Sequence, residues 1–264
     1  MSNTYQTTGI NLKATPMGEA DRLLTILSPE HGLIRVIAPG ARKPKSSLGG
    51  RSGIFVINQL LIAKGKSIDR ITQAETLRTY RNLSTNLSKL SISQYWAEIL
   101  LSQAVSDQPQ SELYELFLVH LGRLDGLAQP GTEILAYLCQ GIFHLLAAGG
   151  IAPQVHNCCA TGAAMVANLA EPRWKTGFSI DAGGTVNPTA ILDKAQAGLY
   201  YLTGLELALF QQLSAQDLGS WVDSDLPPAN LQQSWSKIEK VLRQYIRHYL
   251  GTSIRSADLL MVDR

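Results

Sequence analysis

Cysteine is scarce in this sequence of 264 residues, which contains only Cys139, Cys158 and Cys159. Three thiols, two of them adjacent, cannot form the disulfide framework that stabilises small secreted domains. Charged residues make up 17% of the chain and hydrophobic residues 45%, and this composition excludes the class of disordered proteins. Residues 1–8 contain neither a basic nor an apolar stretch, so we expect no export signal and a cytoplasmic protein.

The sequence also lacks the motifs of common enzyme classes. It contains no G-x-S-x-G, H-E-x-x-H or G-x-G-x-x-G pattern. Residues 65–67 are similar to the end of a phosphate-binding loop, but Leu60 stands where that loop requires glycine. A Cys158 or Cys159 nucleophile activated by His156 is an alternative, although no third group is evident to orient the histidine. We therefore expect that the protein is not an enzyme.

Charge is absent from one long stretch, which runs from Ile134 to Ala152 and is close to the length of a membrane span. Gln140 and His144 lie one helical turn apart in it and would share one face of a helix. The pair Gly149-Gly150 ends the pattern, and no cluster of Lys or Arg flanks it to set an orientation. We predict a buried core helix rather than a membrane span.

Acidic residues are absent between His31 and Lys66, although the whole chain has a net charge of only +2. Residues 1–82 contain 12 Lys or Arg against 5 Asp or Glu, a formal charge of +7. Residues 83–264 contain 11 against 16, a formal charge of −5. Such asymmetry suggests that the first part meets a polyanion, such as nucleic acid or an anionic membrane, and the second does not.

The first eighty residues or so have the pattern of a small β-barrel. Five short segments rich in Ile, Val, Leu or Thr are separated by turn signals at 29–32 and 39–40. The predicted strands are residues 8–14, 22–27, 33–38, 54–63 and 68–76. Five short strands indicate a closed or partly closed barrel. Between the third and fourth strands, residues 39–53 (PGARKPKSSLGGRSG) are too rich in Gly, Pro and Ser for a helix or strand, and we predict a flexible basic loop.

The cations of this loop and its flanks are candidates for binding nucleic acid. They are Arg35, Arg42, Lys43, Lys45, Arg51, Lys64 and Lys66. A mobile backbone would let several of them reach successive phosphates, which makes a contact that does not depend on sequence. The alternative is a solvated surface loop. Because residues 1–82 contain only three aromatic rings, Tyr5, Phe55 and Tyr80, with Phe55 expected in the core, we predict mainly electrostatic binding.

Helical spacing of apolar residues begins at about Leu83. Further helices are predicted at about 132–148, with Thr132 or Gly131 as the N-cap, at 193–213, and at 230–250 after Pro227-Pro228. Residues 151–190 show little periodicity. We therefore predict a barrel domain at 1–82, a helical domain formed by 83–150 and 191–264, and an irregular module at 151–190.

Several motifs occur in an order that resembles the RecO family of bacterial DNA repair and recombination mediators, and the resemblance covers essentially the whole chain. They are Gly18-Glu19-x-Asp21, Glu30-His31-Gly32, residues 38–46 (APGARKPKS), Ala74-Glu75, Tyr95-x-x-Glu98, Gly149-Gly150-x-x-Pro153, and the closing segment from Tyr245 to Leu260.

The resemblance implies an α+β multidomain protein, in which an oligonucleotide-binding (OB) fold of five strands precedes an α-helical domain. It also implies a non-catalytic role without a cofactor, close to the nucleoid, in homologous recombination by the RecF pathway. Family members bind single- and double-stranded DNA and anneal complementary strands. They contact the acidic C-terminal tail of single-strand binding protein and, with RecR, help to load RecA.

One region departs from the family pattern. Many relatives have a zinc ribbon with two Cys-x-x-Cys pairs, and only Cys158 falls on a ligand position here. The other three positions are occupied by Thr161, Asn187 and Ala190. Since tetrahedral zinc needs four ligands, we expect a degenerate, metal-free ribbon-like loop that packs around Trp174 and Phe178. From the residues alone, His156, Cys158 and Cys159 could supply soft ligands, but no second cluster completes the set.

A second hypothesis makes the protein chiefly an adaptor that docks partners through its helical domain. An apolar groove bordered by cations would suit an acidic peptide that ends in Phe. The cations available for such a border are Lys89, Arg123, Arg173 and Lys175. The sequence does not identify the helices that would form the groove.

Overall fold

The computed structural model describes residues 3–128, 131, 133–190, 198–218 and 228–260. The chain divides into two compact units, Met1–Gly126 and Leu127–Arg264. The first unit therefore extends beyond the predicted barrel boundary at Asn82, which marks the change from strands to helices. As a division into functional domains, the boundaries at 82, 150 and 190 stay a prediction.

The first unit begins with a closed barrel of five strands, which confirms the predicted architecture. The strands are β1 (Thr4–Met17), β2 (Asp21–Ser28), β3 (Gly32–Ala38), β4 (Ile57–Ala63) and β5 (Asp69–Arg78). They close in the order β1-β2-β3-β5-β4, with all pairs antiparallel except β3 with β5. Alternate positions in β2 and β4 point inward, and Leu24, Ile26, Leu60 and Ile62 form the centre of the barrel core.

The fourth strand begins later than predicted. Residues 54–56 precede it, and Phe55 has a φ of 59°, a left-handed conformation that is incompatible with a strand. The Phe55 side chain is nevertheless buried, and its ring centroid lies 6.2 Å from that of Phe117. The prediction that Phe55 belongs to the core is confirmed, whereas its place in the strand was wrong.

Three helices complete the first unit: α1 (Arg81–Thr85), α2 (Leu87–Gln103) and α3 (Ser111–Gly126). The connection between α2 and α3 lies against the β2–β3 turn, where the Leu33 amide donates to the Val105 carbonyl at 3.0 Å. Gly32 allows this approach, because a Cβ there would lie 2.0 Å from the Val105 oxygen and the φ of 66° also favours glycine.

The described part of the second unit contains three α-helices and a small sheet. Its elements are α4 (Ile134–Ala148), β6 (Lys175–Ser179), β7 (Gly184–Val186), β8 (Leu199–Thr203), α5 (Gly204–Gln212) and α6 (Pro228–Leu250). The sheet is antiparallel in the order β7-β6-β8. It corrects two predictions, since residues 175–186 contain strands within the region expected to be irregular, and residues 199–203 form a strand where helical spacing was inferred. Residues 193–197 of that inferred helix lie outside the described chain.

Helix α4 confirms the prediction of a buried core helix. Gln140 and His144 lie on one face, as expected, and contact the Ala215 carbonyl at 3.0 and 3.1 Å. Glu133 occupies the N-cap position instead of Gly131, and Thr132 lies outside the described residues. Within the described ranges, no helix is long and apolar enough to cross a membrane.

Candidate nucleic-acid interface

Residues 39–53, the basic segment, form a series of hydrogen-bonded turns. Backbone amides of Lys43, Ser46, Gly49, Ser52 and Gly53 donate to carbonyls three or four residues earlier, at 2.9 to 3.2 Å. Ala41 and Leu48 are buried in the barrel core. The absence of helix and strand was predicted correctly, but the expectation of a flexible loop was wrong, because these bonds and the two buried side chains fix the segment on the barrel.

Strand β2 anchors both ends of the basic segment. The Arg22 guanidinium donates to the Gly49 carbonyl at 3.3 Å and to the Ser52 hydroxyl at 2.8 Å. At the other end, the Asp21 carboxylate accepts a hydrogen bond of 2.7 Å from the Gly40 amide. An arginine and an aspartate at the start of one strand therefore position the segment that bears most of the predicted DNA-binding cations.

Two buried asparagines provide a second anchor. The side-chain amides of Asn11 and Asn58 both donate to the Arg51 carbonyl, at 2.8 and 2.9 Å, and Asn11 also donates to the Gly53 carbonyl at 2.7 Å. Asn11 and Asn58 are at most 1% exposed. Sequence reasoning missed this role. The signal that was available was a polar residue, Asn11 or Asn58, at an inward-pointing position in each of two predicted strands.

The predicted cations of the basic segment differ in their surroundings. Arg42 is exposed and donates to the Gly18 carbonyl at 2.7 Å, while the half-buried Arg51 donates to the Ser47 carbonyl. Lys43 and Lys45 are exposed, and their ammonium groups form no hydrogen bond or ion pair with a described residue. The two lysines thus present their full charge to solvent, and Arg42 keeps unused donors on a guanidinium of fixed position.

The other three predicted cations, Arg35, Lys64 and Lys66, are exposed on β3 and on the β4–β5 turn. Arg35 and Lys64 border a cleft of about 410 Å³ in the first unit. Its lining also includes Tyr5, His31 and Asp69. The structure therefore places four of the seven predicted cations in one group on the basic segment and two, Arg35 and Lys64, in a second group beside this cleft, while Lys66 lies outside the lining of the cleft.

Arg70 lies between the two groups and was missed by sequence reasoning. Its guanidinium is 4.0 Å from the Asp21 carboxylate, which also binds the start of the basic segment. Its backbone pairs with Ile37 in the β3–β5 ladder, where the neighbouring pair joins Val36 to the cleft residue Asp69. The alternation of side chains along β5 could have revealed Arg70, because it lies next to Ile71, which points into the barrel core.

The four cations predicted for partner binding are divided between the two units. Lys89 is 2% exposed, and its ammonium donates to the Asp125 carbonyl at 3.2 Å. Arg123 lies half-buried in the same unit, whereas Arg173 and Lys175 are exposed in the second unit. Contact of these cations with a partner stays a prediction. Burial of the Lys89 side chain argues against a contact between Lys89 and a partner.

A groove of about 830 Å³ runs along α6 in the second unit. Leu135, Ala229, Ala257 and Leu260 supply its apolar lining, and Lys237, Lys240 and Arg243 supply its cations. Lys237 forms a 2.6 Å ion pair with Glu206, and Arg243 lies 3.2 Å from Glu239, while Lys240 is exposed. These cations recur every three residues along α6, which is the signal by which the sequence could have revealed them.

The residues at the zinc-ribbon positions do not fit a metal. Cys158 is buried and accepts a hydrogen bond of 3.2 Å from the Asn187 amide. Burial raises the pKa of its thiol, but hydrogen bonds from the Thr161 side chain and from the amides of Asn187, Ala160 and Thr161 outweigh this and lower it. Within the described chain, no three His, Cys, Asp or Glu side chains converge as metal ligands; the Ala190 side chain lies outside it. Trp174 is half-buried and Phe178 is buried, as the predicted packing requires.

The arrangement also disfavours the cysteine nucleophile. The His156 imidazole contacts the Ser214 hydroxyl at 3.1 Å, and it contacts neither thiol within the described residues. Cys159 is exposed as a residue, but the partial burial of its thiol and the neighbouring Cys158 raise the pKa of that thiol. An activated nucleophile requires a base beside the thiol or a lowered pKa at an accessible sulfur.

The first unit contains a closed barrel of five strands that bears exposed cations, which is the architecture of an OB-fold protein. Comparison with known families agrees, since residues 1–80 match the model "Recombination protein O N terminal" and residues 84–258 match "Recombination protein O C terminal". The chain is 48% identical to the DNA repair protein RecO of Cyanothece sp., covering 98% of this chain and 96% of the relative. The corresponding proteins of Trichodesmium erythraeum and Nostoc punctiforme are 48% and 45% identical, covering 98% of this chain and 94% and 96% of theirs. The chain belongs to the RecO family of DNA repair proteins.

Proposed function

We propose that this protein is a non-catalytic mediator of DNA repair and homologous recombination in the RecF pathway. It binds single- and double-stranded DNA, anneals complementary strands and, with RecR, helps to load RecA onto strands coated by single-strand binding protein. We place this activity in the cytoplasm, at the nucleoid. The single observation that best supports the proposal is the position of Arg42, Lys43 and Lys45 on an ordered basic segment.

The physical basis of annealing is charge neutralisation. Two complementary strands repel each other through their phosphates, and cations on the protein surface reduce that repulsion when both strands bind. Cations held on an ordered backbone act without an entropic cost of ordering the segment at each encounter. Binding of this kind does not depend on base sequence, because phosphate contacts position a strand and do not distinguish bases.

Strand annealing across a salt series, with and without single-strand binding protein, tests the proposal. If about five cations contact single-stranded phosphates, the logarithm of affinity falls with the logarithm of salt concentration at a slope of roughly −3.5. Substitution of Arg42, Lys43 and Lys45 by Glu should weaken binding to DNA of any sequence and slow annealing, with the fold intact by circular dichroism. A slope near zero, or unchanged affinity in the triple variant, would contradict the proposed mechanism.

A second candidate function, partner docking, is favoured by the groove along α6. Its apolar lining and the exposed cation Lys240 suit an acidic peptide with an apolar end, such as the tail of single-strand binding protein, whereas Lys237 and Arg243 already pair with Glu206 and Glu239. We therefore move the proposed docking site from the cations predicted in the sequence to this groove. In this alternative, DNA binding would be secondary to partner binding.

Titration of the tail peptide into wild-type protein and into Lys240→Glu separates the two functions. The variant should bind the peptide more weakly and keep its affinity for DNA, whereas Lys43→Glu should show the opposite pattern. Equal peptide binding by wild type and Lys240→Glu would remove the groove from consideration. Tight peptide binding by a wild-type protein with no measurable DNA affinity would favour the adaptor role.

A further inference from the structure

The cleft of about 410 Å³ in the first unit contains two aromatic rings that are far apart in the sequence. Tyr5 comes from β1 and His31 from the β2–β3 turn, and the antiparallel pairing of β1 with β2 places their ring centroids 5.2 Å apart at an interplanar angle of 68°. Both side chains are half-buried, so each ring keeps accessible surface. The sequence offered three isolated aromatic residues in the barrel and no sign that one of them would pair with a histidine.

The ring of Tyr5 is held in a fixed orientation. Its hydroxyl donates to one oxygen of the Asp69 carboxylate at 2.9 Å, and the other oxygen accepts from the Gly65 amide at 3.0 Å. The Lys64 ammonium lies 5.8 Å from the centroid of the Tyr5 ring. Burial, the hydrogen bond to Asp69 and the charges of Asp69 and Asp107 all raise the pKa of Tyr5, which keeps its hydroxyl neutral.

The charges around the cleft determine which part of a nucleic acid fits it. Asp69 and Asp107 both line the cleft, and two carboxylates disfavour a phosphate inside it. A nucleobase is neutral, has a flat face that stacks on an aromatic ring, and has N–H groups that donate to a carboxylate. Arg35 and Lys64 border the same cleft and can bind the phosphates on either side of the base.

We propose that this cleft binds one unstacked nucleobase of a single DNA strand, with Tyr5 and His31 as its aromatic walls. This inference rests on the proposed DNA-binding function and adds a stacking contact to its electrostatic mechanism. The cleft volume lies within the range of ligand pockets in proteins, about 300 to 1,000 Å³. Bases in an intact duplex are stacked inside the helix and cannot enter, so the cleft adds affinity for single strands only.

The first test compares single-stranded DNA with a duplex that has no single-stranded ends. Tyr5→Ala should weaken binding of the single strand by roughly 5- to 150-fold and leave binding of the duplex unchanged. Tyr5→Phe is the matched control, because it keeps the ring, loses only the hydroxyl, and should retain most of the affinity. An oligonucleotide of abasic residues should bind wild type and Tyr5→Ala equally well.

Photo-crosslinking tests the same inference in the unmodified protein, in case Tyr5→Ala does not fold. Irradiation of wild-type protein bound to a single strand containing 5-iodouracil should attach the base to Tyr5 or His31, as identified by mass spectrometry of the peptides. Crosslinks confined to other residues, or equal loss of single-strand and duplex affinity in Tyr5→Ala, would overturn the nucleobase site and leave the proposed function standing. Absence of any salt-dependent DNA binding by wild type would overturn both.

Discussion

The guanidinium of Arg22 donates a hydrogen bond of 2.8 Å to the hydroxyl of Ser52, which joins strand β2 to the end of the basic segment. The same guanidinium donates to the Gly49 carbonyl, so one side chain fixes two turns of the segment. Arg22 is half-buried, so we expect it to affect DNA binding through the position of the segment rather than through direct contact. Because the segment is ordered before DNA arrives, less conformational entropy is lost on binding.

Substitution of Arg22 by Gln should loosen the basic segment while every cation of that segment remains. We expect the amides of Gly49, Ser52 and Gly53 to exchange hydrogen faster, and DNA affinity to fall several-fold. The loss of two hydrogen bonds from a charged group should destabilise the first unit by about 1 to 3 kcal/mol. Hydrogen exchange followed by mass spectrometry checks the local effect.

The control for Arg22→Gln is Lys13→Gln. Lys13 is exposed on β1 and its side chain forms no hydrogen bond with the basic segment, so this variant removes one positive charge and no anchor. It should leave exchange of the segment amides unchanged. If both variants lose DNA affinity equally and neither changes exchange in residues 46–53, Arg22 acts by charge alone and its anchoring role is refuted.

Lys43 and Lys45 should account for part of the salt dependence of DNA binding. Each exposed ammonium that neutralises a phosphate of a single strand contributes roughly 0.7 to the slope of log affinity against log salt. The double variant Lys43→Gln with Lys45→Gln should therefore reduce that slope by about 1.4, independent of base sequence. Fluorescence anisotropy across a salt series measures it.

Lys240→Gln is the matched comparison, since Lys240 is an exposed cation on α6 in the second unit. Its slope should equal that of wild type. An unchanged slope in the double variant would mean that the two lysines are solvated surface residues, which is the alternative the sequence left open.

The strands were predictable because their causes are local. β2 and β4 are rich in Leu and Ile, and turn residues at 29–32 and 39–40 separate the strands. The late start of β4 was not predictable. Phe55, just before the strand, adopts a left-handed conformation, and its ring contacts Phe117 in α3. Local apolar pattern could not distinguish a strand residue from a buried turn residue.

The interface was only partly predictable because its order comes from distant residues. Composition identified the cations of the basic segment, but its fixed conformation depends on Arg22, Asn11 and Asn58, which come from three different strands. The proximity of Tyr5 and His31 likewise results from the antiparallel register of β1 with β2. Composition can locate charge along a chain, whereas pairing across the barrel needs the strand register.

Glu30 should make the stability of the barrel depend on pH. Burial raises the pKa of Glu30, but hydrogen bonds of 2.9 Å from the hydroxyls of Thr7 and Ser28 outweigh this, and the pKa is lowered from 4.5. A carboxyl whose folded pKa lies below its unfolded value binds fewer protons when folded. Its contribution is therefore fully present above the ordinary pKa and is lost as pH falls through the folded pKa.

Glu30→Gln tests this linkage, since the amide cannot ionise. From neutral pH down to below the ordinary pKa of glutamate, the melting temperature of wild type should fall more than that of the variant. Glu75 is an exposed position on β5 whose carboxylate accepts no hydrogen bond from a described residue, so Glu75→Gln should keep the wild-type dependence. Parallel curves for wild type and Glu30→Gln would show that the two hydroxyl contacts do not stabilise the ionised form.

The module around Cys158 should be stable without metal, because hydrogen bonds to its sulfur replace the bonds that zinc makes in a ribbon. Elemental analysis of purified protein should find no stoichiometric zinc, and a chelator should leave the melting temperature unchanged. Cys158→Ala removes the acceptor for the Asn187 amide and should destabilise the second unit by about 1 to 3 kcal/mol, whereas Cys158→Ser keeps an acceptor and should cost less. One zinc per chain, or a chelator effect absent from Cys158→Ala, would show that the sulfur is a metal ligand after all.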